Sequence, residues 1–422
     1  MPFMMNRAVH IILLSFLVNL SNGQTNNLTG SPYSLFGLGV SSNSNIGINN
    51  SIGNGGYAIS GHSLMNNLNP ASYGNLGEQN FLFDFGFLTE ISEIDNGSST
   101  ENRIAGNFSN IAFASSLSPK SAFGLSISPF SDTGYAVIGI ESNIEGSFDS
   151  FSSSIFGTGS LNDLKLSYGR AITDKFRTGF YASYLFGVIE ERELIDASQE
   201  TPNESNLNIL ERNFYRGLRF GLGFQYEVTN KFSVGWAVDL ATPLSARRDR
   251  TVQKTLDFIA STVEEENDEK IASFRLPTAL NTGLLYEPFK GLGITMDYSL
   301  RLWNETEQRD NVGVFVDEQD YSFGVQYVAD PNSFRYHQRI KYRAGFNYNT
   351  GYLEVNQNPV ESYFITAGIG IPLGLRSLSH LNISYGFQHR GSTTGILIEE
   401  NIHTLNINFS LRDIWFVKRK IN

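Results

Sequence analysis

The sequence predicts an all-β chain, an up-and-down antiparallel transmembrane β-barrel of about 14 strands with a short N-terminal plug segment. Three observations point there: side chains alternate with period two over most of the chain, the connections sort into short and long ones, and a targeting signal stands in front. The clearest stretch runs from Phe214 to Leu240. On its first arm Phe214, Leu218, Phe220, Leu222, Phe224, Tyr226 and Val228 fall at even positions, with Arg216 the exception, while Tyr215, Gly217, Arg219, Gly221, Gly223, Gln225 and Glu227 fall between them. After a turn at Thr229-Asn230-Lys231 the pattern returns, with Phe232, Val234, Trp236, Val238 and Leu240 set against Ser233, Gly235, Ala237, Asp239 and Ala241. Successive side chains of a strand point to opposite faces, so each arm has one greasy, aromatic-rich face and one that is mostly small, polar or charged.

In chain order, Arg7 precedes a largely apolar run from Ala8 to Leu20, and Ser21-Asn22-Gly23 offers the small residues a signal peptidase reads. Residues 1–23 therefore read as a secretory signal peptide cut before Gln24. The run is shorter than the roughly 20 apolar residues of a spanning helix. With no cysteine, the mature chain is neither disulfide-stapled nor a lipoprotein. Residues 24–77 are rich in Asn, Gly and Ser and show no sustained alternation; they read as the plug, irregular backbone with a short helix expected around His62 to Asn67. Gly53 to Ala58 resembles part of a dinucleotide fingerprint, but no strand precedes it and no βαβ unit surrounds it, which argues against a nucleotide site.

The barrel is placed at residues 78–412, ahead of a periplasmic tail at 413–422. Its strands are read as Asn80 to Ser92, Arg103 to Leu117, Ser121 to Ser131, Leu161 to Ile172, Lys175 to Ile189, Asn213 to Val228, Lys231 to Thr242, Arg275 to Tyr286, Gly291 to Trp303, Tyr321 to Val328, Arg339 to Asn349, Glu361 to Ile371, Leu378 to His389 and Asn401 to Leu411. Around Phe108 to Ile111 the alternation breaks, as at a bulge or bend. Met296 lies mid-strand on the expected lipid face and Thr295 on the lumen face, where a charge should be far better tolerated. Between strands, short links at 118–120, 173–174, 229–230, 287–290, 329–338 and 372–377 alternate with long polar links at 93–102, 132–160, 190–212, 243–274, 304–320, 350–360 and 390–400. Turns on one rim and loops on the other are what an outer-membrane barrel has, with both termini on the periplasmic side. Closure also leaves no unpaired edge facing lipid.

Composition agrees. The 40 glycines, 32 phenylalanines and 19 tyrosines suit strands with aromatic outer and small inner faces. A net charge of -11 argues against a nucleic-acid partner, since phosphate binding needs a basic face. A mean hydropathy of -0.19 is no obstacle, because a barrel carries one water-facing residue for each lipid-facing one.

Asn69-Pro70-Ala71-Ser72-Tyr73, just before the first strand, resembles the Asn-Pro-Ala motif near the amino terminus of the FadL/TodX family of outer-membrane transport proteins. Tyr342-Arg343-Ala344-Gly345-Phe346, Ile365 to Leu373 (ITAGIGIPL) and Asp413 to Lys420 (DIWFVKRK) resemble the version of that family found in Bacteroidetes. The resemblance covers nearly the whole mature chain. It implies a 14-stranded barrel with an N-terminal plug, passage of long-chain fatty acids or other hydrophobic compounds, and a kinked third strand that opens the wall sideways. Ser128-Pro129 sits in the third strand here, where a missing N–H interrupts the ladder.

Other signals carry less. The acidic run Val263 to Glu269 reads as a solvated loop tip without calcium-loop spacing. The six histidines form no metal pair, no hydrolase motif is present, and neither a cofactor nor an enzyme activity is expected. On the expected inner face lie Asp84, Arg177, Arg219, Glu227, Asp239, Asp297 and Arg301, and Asn69-Pro70-Ala71 is expected in the barrel mouth with its backbone tied to those charges. The expected plug and substrate route thus runs over Asn69, Pro70, Ala71, Pro129, Arg219, Asp239 and Arg301. Three functions remain open: passive uptake of hydrophobic small molecules, a barrel subunit of a larger outer-membrane protein-export or assembly complex, and a porin for small polar solutes. The partners these imply are outer-membrane lipid, a hydrophobic substrate and outer-membrane proteins.

Overall fold

The computed structural model describes residues 29–42, 45–143, 150–196, 205–256, 259–308, 313–374 and 378–414. The expected signal peptide, the expected mature terminus at Gln24 and most of the expected C-terminal tail lie outside them.

The described strands close into an antiparallel barrel of fourteen. In chain order they are β1 (Asn80–Asp95), β2 (Thr100–Ser118), β3 (Ser121–Asn143), β4 (Ser150–Ala171), β5 (Phe176–Asp196), β6 (Ser205–Thr229), β7 in two pieces (Phe232–Asp239 and Thr242–Leu256), β8 in two pieces (Ile259–Leu276 and Ala279–Tyr286), β9 (Leu292–Arg301), β10 (Glu318–Val328), β11 (Lys341–Asn349), β12 (Ser362–Pro372), β13 (His380–Arg390) and β14 (Glu399–Ile414). Each pairs with its neighbour, and β1 closes on β14 from Asn80 opposite Ile414 to Asp95 opposite Glu399. The breaks in β7 and β8 fall at one level, since Asp239 faces Ala279 and Thr242 faces Leu276, and Pro277, which has no N–H to give, lies in the second break. Ser109 is the bulge: Gly86 faces Asn110 while the next residue, Phe87, faces Phe108.

Alternation places the faces as the sequence suggests. Phe214, Leu218, Phe220, Leu222, Tyr226, Trp236 and Leu240 are exposed on the outside. Met296 is 53% exposed, whereas Thr295 is 4% exposed.

Three of the long links are largely strand. The ladder runs on through β3–β4, β5–β6 and β7–β8 into tall hairpins that take up most of 132–160, 190–212 and 243–274. Above the apolar belt both faces of a hairpin meet water, so the period-two signal fades while backbone pairing continues. The acidic run is not a loop tip either. It forms part of β8, opposite an arginine-rich stretch of β7, where Arg250 pairs with Glu264 at 2.6 Å, Arg248 with Glu269 at 2.7 Å, and Arg247 with Asp268.

Residues 29–77, so far as described, run down the inside of the barrel. They form 3-10 turns at Pro32–Leu35, Asn49–Ser51 and Pro70–Asn75. No helix forms at His62 to Asn67, where Asn66 instead gives its side-chain amide to the carbonyls of Gly56 (2.8 Å) and Ile59 (3.0 Å). Such local bonds compete with a helix. The hydrophobic clusters lie inside the wall. Tyr33 and Phe36 pack on Leu353, Val355, Val360 and Leu397 at the long-hairpin end; Leu38 joins Leu161, Leu185, Leu244, Trp303 and Phe315; and Ile46, Met65, Tyr73 and Leu76 pack on Leu82, Ala112, Ala114 and Ala122 toward the short-turn end.

Candidate functional site: a wall opening and the cavity behind it

The ladder between β2 and β3 stops at Ile111 opposite Ile127. Beyond that level β2 stays paired to β1 as far as Thr100 and β3 to β4 as far as Asn143, so the two edges part and the wall opens between them. Pro129 stands two residues past the last pair. Phe130 is bulged, since Pro129 faces Asn162 and Ser131 faces Leu161. An edge with free N–H and C=O groups is costly in lipid, and the inner segment covers part of it: Val40 and Ser41 pair with Asp132 and Ser131, and Ser42 N–H donates to Phe130 O at 3.1 Å. A small cavity of about 30 Å³ remains there, lined by Ser42, Glu90, Asn107, Asp132 and Arg390 among others.

Behind the opening lies a cavity of about 300 Å³ that Ser128, Pro129 and Phe130 line from the wall side. Its other walls are charged. Arg219 pairs with Asp239 at 2.9 Å, and Tyr181 donates to the same carboxylate at 2.6 Å. Arg301 pairs with Glu318 at 2.9 Å, and Asn349 donates to Glu318 at 2.7 Å and Asp320 at 2.9 Å. Lys165 stands 3.7 Å from Asp163 and over the Tyr181 ring at 4.6 Å. Each cation of the cavity thus has an acid, which lets the pairs share a confined lumen at tolerable desolvation cost, while Asp297 and Asp320, which line it too, are held by N–H and amide donors.

The floor of this space is the inner segment, and Asn69 anchors it. Fully buried, Asn69 donates through its amide to the carbonyls of Tyr57 (2.9 Å), Phe224 (3.1 Å) and Trp236 (3.2 Å), and its oxygen caps the Pro70–Asn75 turn by accepting from Ala71 N–H at 3.0 Å. Pro70 follows at the first position of the turn, where a missing N–H costs nothing. Its carbonyl lies against Gly169 of β4 and Gly179 of β5, where a Cβ would clash. Asp297 accepts from the N–H groups of Gly56 (2.8 Å) and Tyr57 (2.9 Å), and burial holds the Tyr57 hydroxyl well above its ordinary pKa.

Pro129, Arg219, Asp239 and Arg301 therefore meet around one cavity, while Asn69, Pro70 and Ala71 sit below it. Among the described residues the expected tie between Asn69-Pro70-Ala71 and the inward charges is not there: the motif is held by backbone carbonyls and wall glycines, and the charges bind other parts of the inner segment, Asp297 through the N–H groups of Gly56 and Tyr57, Asp84 through that of Gly47, and Arg177 through Ser60 at 3.4 Å. Tyr57, Glu318 and Asp320 also line the cavity and were not singled out from the sequence. Glu318 and Asp320 fell in an expected loop, and Tyr57 in the irregular segment, so no alternation marked them.

A family model described as BamG matches residues 4–422. The chain belongs to the BamG family. Among curated proteins none matches. Solved structures with the same fold as this BamG-family chain include the P. putida toluene transporter TodX (TM-score 0.59, 13% identity, 83% of this chain and 93% of that one), the Ralstonia pickettii toluene transporter TbuX (0.58, 18%, 92% and 100%) and a Pseudomonas aeruginosa FadL homologue (0.55, 14%, 87% and 98%). At such identity the likeness establishes a shared β-barrel fold for the BamG-family chain.

Proposed function

We propose that this BamG-family barrel takes up small hydrophobic or amphipathic molecules across the outer membrane, entering through the opening between β2 and β3. The observation that carries this reading is the lost pairing above Ile111 and Ile127, with Pro129 at its edge and a 300 Å³ cavity directly behind it. The hydrocarbon transporters named above have the same fold, which supports the reading. Paired charges around the cavity suit a molecule with a polar head, such as a long-chain fatty acid, better than a bare hydrocarbon. Residues 1–23 serve as the signal peptide, residues 24–77 as the plug, and the short-turn rim faces the periplasm.

Because the chain contains no cysteine, Asn107→Cys and Asp132→Cys can be introduced on the two edges and bridged with a short thiol cross-linker. Uptake of a labelled fatty acid into cells should fall on cross-linking and return when a cleavable linker is cut. Unchanged uptake in the bridged protein would remove the wall opening from the route.

A second reading, a barrel subunit of a larger outer-membrane protein-export or assembly complex, is favoured by one specific observation. The longest short-turn connection carries Phe334 at its tip, 92% exposed, and an aromatic held out at a rim is suited to a protein pocket. Phe334→Ser should leave uptake intact under the first reading and abolish co-purification of outer-membrane proteins in mild detergent under the second.

A further inference from the structure

Two of the stretches singled out in the sequence lie side by side. Lys341 and Arg343 of β11 face Gly370 and Gly368 of β12. Arg343 points inward, is 5% exposed, and lies across the bare inner face of β12: a Cβ added at Gly370 would come within 2.9 Å of a guanidinium nitrogen. From there it donates to Asn382 Oδ1 on β13 and to Gln326 Oε1 on β10, both at 2.9 Å. The glycines of ITAGIGIPL thus make room for the arginine of YRAGF.

Both partners of this buried cation are neutral amides. Among the described residues no carboxylate forms an ion pair with Arg343 or with Lys341, which lies on the same inward face two residues earlier. Asp84 is reached only through a relay, in which Asn382 donates to Ser410 Oγ at 3.0 Å and Ser410 donates to Asp84. Lys341, Arg343 and His380 open onto a cavity of about 310 Å³ at the short-turn end, whose other lining includes Ile59, Leu64 and Leu285, with Glu287 exposed at its rim. This arrangement is the reverse of the upper cavity, where every arginine has its acid.

We propose that this pocket binds an amphipathic anion, a carboxylate or phosphate head on Arg343 and Lys341 with a short apolar tail against Ile59, Leu64 and Leu285. A planar guanidinium held by two amides keeps its remaining N–H groups aimed at a bidentate head, and Lys341 adds a second, mobile charge. The surrounding apolar side chains supply the binding that a free anion lacks. The site is separate from the wall opening, so binding here is measurable whether or not the barrel transports.

The test is titration calorimetry on the full-length barrel in a neutral detergent, with octanoate, octyl phosphate, octanol and inorganic phosphate as probes. Octanoate and octyl phosphate should bind, octanol and inorganic phosphate at least tenfold more weakly. Arg343→Gln should weaken the anionic probes tenfold or more. Lys341→Gln, which removes no described contact and so should fold normally, should weaken them severalfold and leave octanol unchanged. Octanol binding as tightly as octanoate, inorganic phosphate as tightly as octyl phosphate, or a folded Lys341→Gln barrel with unaltered affinity for both anions would overturn the proposal.

Discussion

Gly345 of β11 and Gly53 of the inner segment touch backbone to backbone. A Cβ on Gly345 would strike the nitrogen of Gly53, and one on Gly53, whose φ is +71°, would meet the Phe346 carbonyl at 2.6 Å. The contact belongs to a row. Gly169, Gly179 and Gly223 face one another across β4, β5 and β6, Gly235 faces Gly283 across β7 and β8, and Gly324 faces Gly345 across β10 and β11. At each of these the space of a Cβ is taken by inner-segment atoms or by a side chain that binds them. Gly345→Val should therefore destabilise the barrel by about 1–3 kcal/mol, the usual cost of overpacking. Gly293→Ala, where the nearest atom is Leu285 Cδ1 at 3.7 Å, should be close to neutral. Heat-modifiable mobility on gels, scored against temperature, separates the two.

Asn69→Ala should cost about 1–3 kcal/mol, since it leaves buried backbone carbonyls of Tyr57, Phe224 and Trp236 without the donor they share. Asn69→Asp should be as damaging, because a carboxylate keeps the cap to Ala71 but sets negative charge against those carbonyls. Equilibrium unfolding from lipid measures both, and a neutral Asn69→Ala would refute the anchoring role.

Met296→Arg should cost about 2 to 4 kcal/mol at mid-depth on the lipid face. The milder effect expected for Thr295→Arg fits the surroundings: Thr295 is buried in the wall, but it lines the same 310 Å³ cavity as Arg343, so a new polar side chain has space on the inner face. Thr295→Arg should therefore cost less than Met296→Arg. Stabilities in reversible unfolding decide it.

Accessibility in whole cells tests the sidedness. A tag inserted at Thr393, in the turn between β13 and β14, should be labelled from outside, and one at Thr173-Asp174 should not. The reverse labelling would invert the barrel in the membrane.

Planar bilayers test the occupied lumen. The intact protein should show no porin-like conductance, because the inner segment runs through the lumen and divides the space behind the wall into separate cavities. Deleting residues 25–72 should abolish the heat-modifiable folded form rather than simply uncover a pore, since Leu38, Ile46 and Met65 form parts of the buried clusters. A stable, conducting deletion variant would show that the wall folds alone.

The sequence by itself determined the wall: which residues face lipid, the order and number of its fourteen strands, a break in alternation around Phe108 to Ile111 and which connections are short. Each of these is local, because a strand's two faces are written in its own period and a turn in its own few residues. Other features depend on register between strands and on a segment with no period at all. Nothing in the sequence links Gly324 to Gly345, and only pairing brings them together beneath Ile52 and Gly53. Arg343 stands in the sequence only as part of the Tyr342 to Phe346 motif, and it is the fold that sets Gly368 and Gly370 of β12 beside it and offers an amide of β13 in place of an acid. The height of the hairpins was hidden for the opposite reason: where both faces meet water, the backbone ladder continues but side-chain alternation no longer records it.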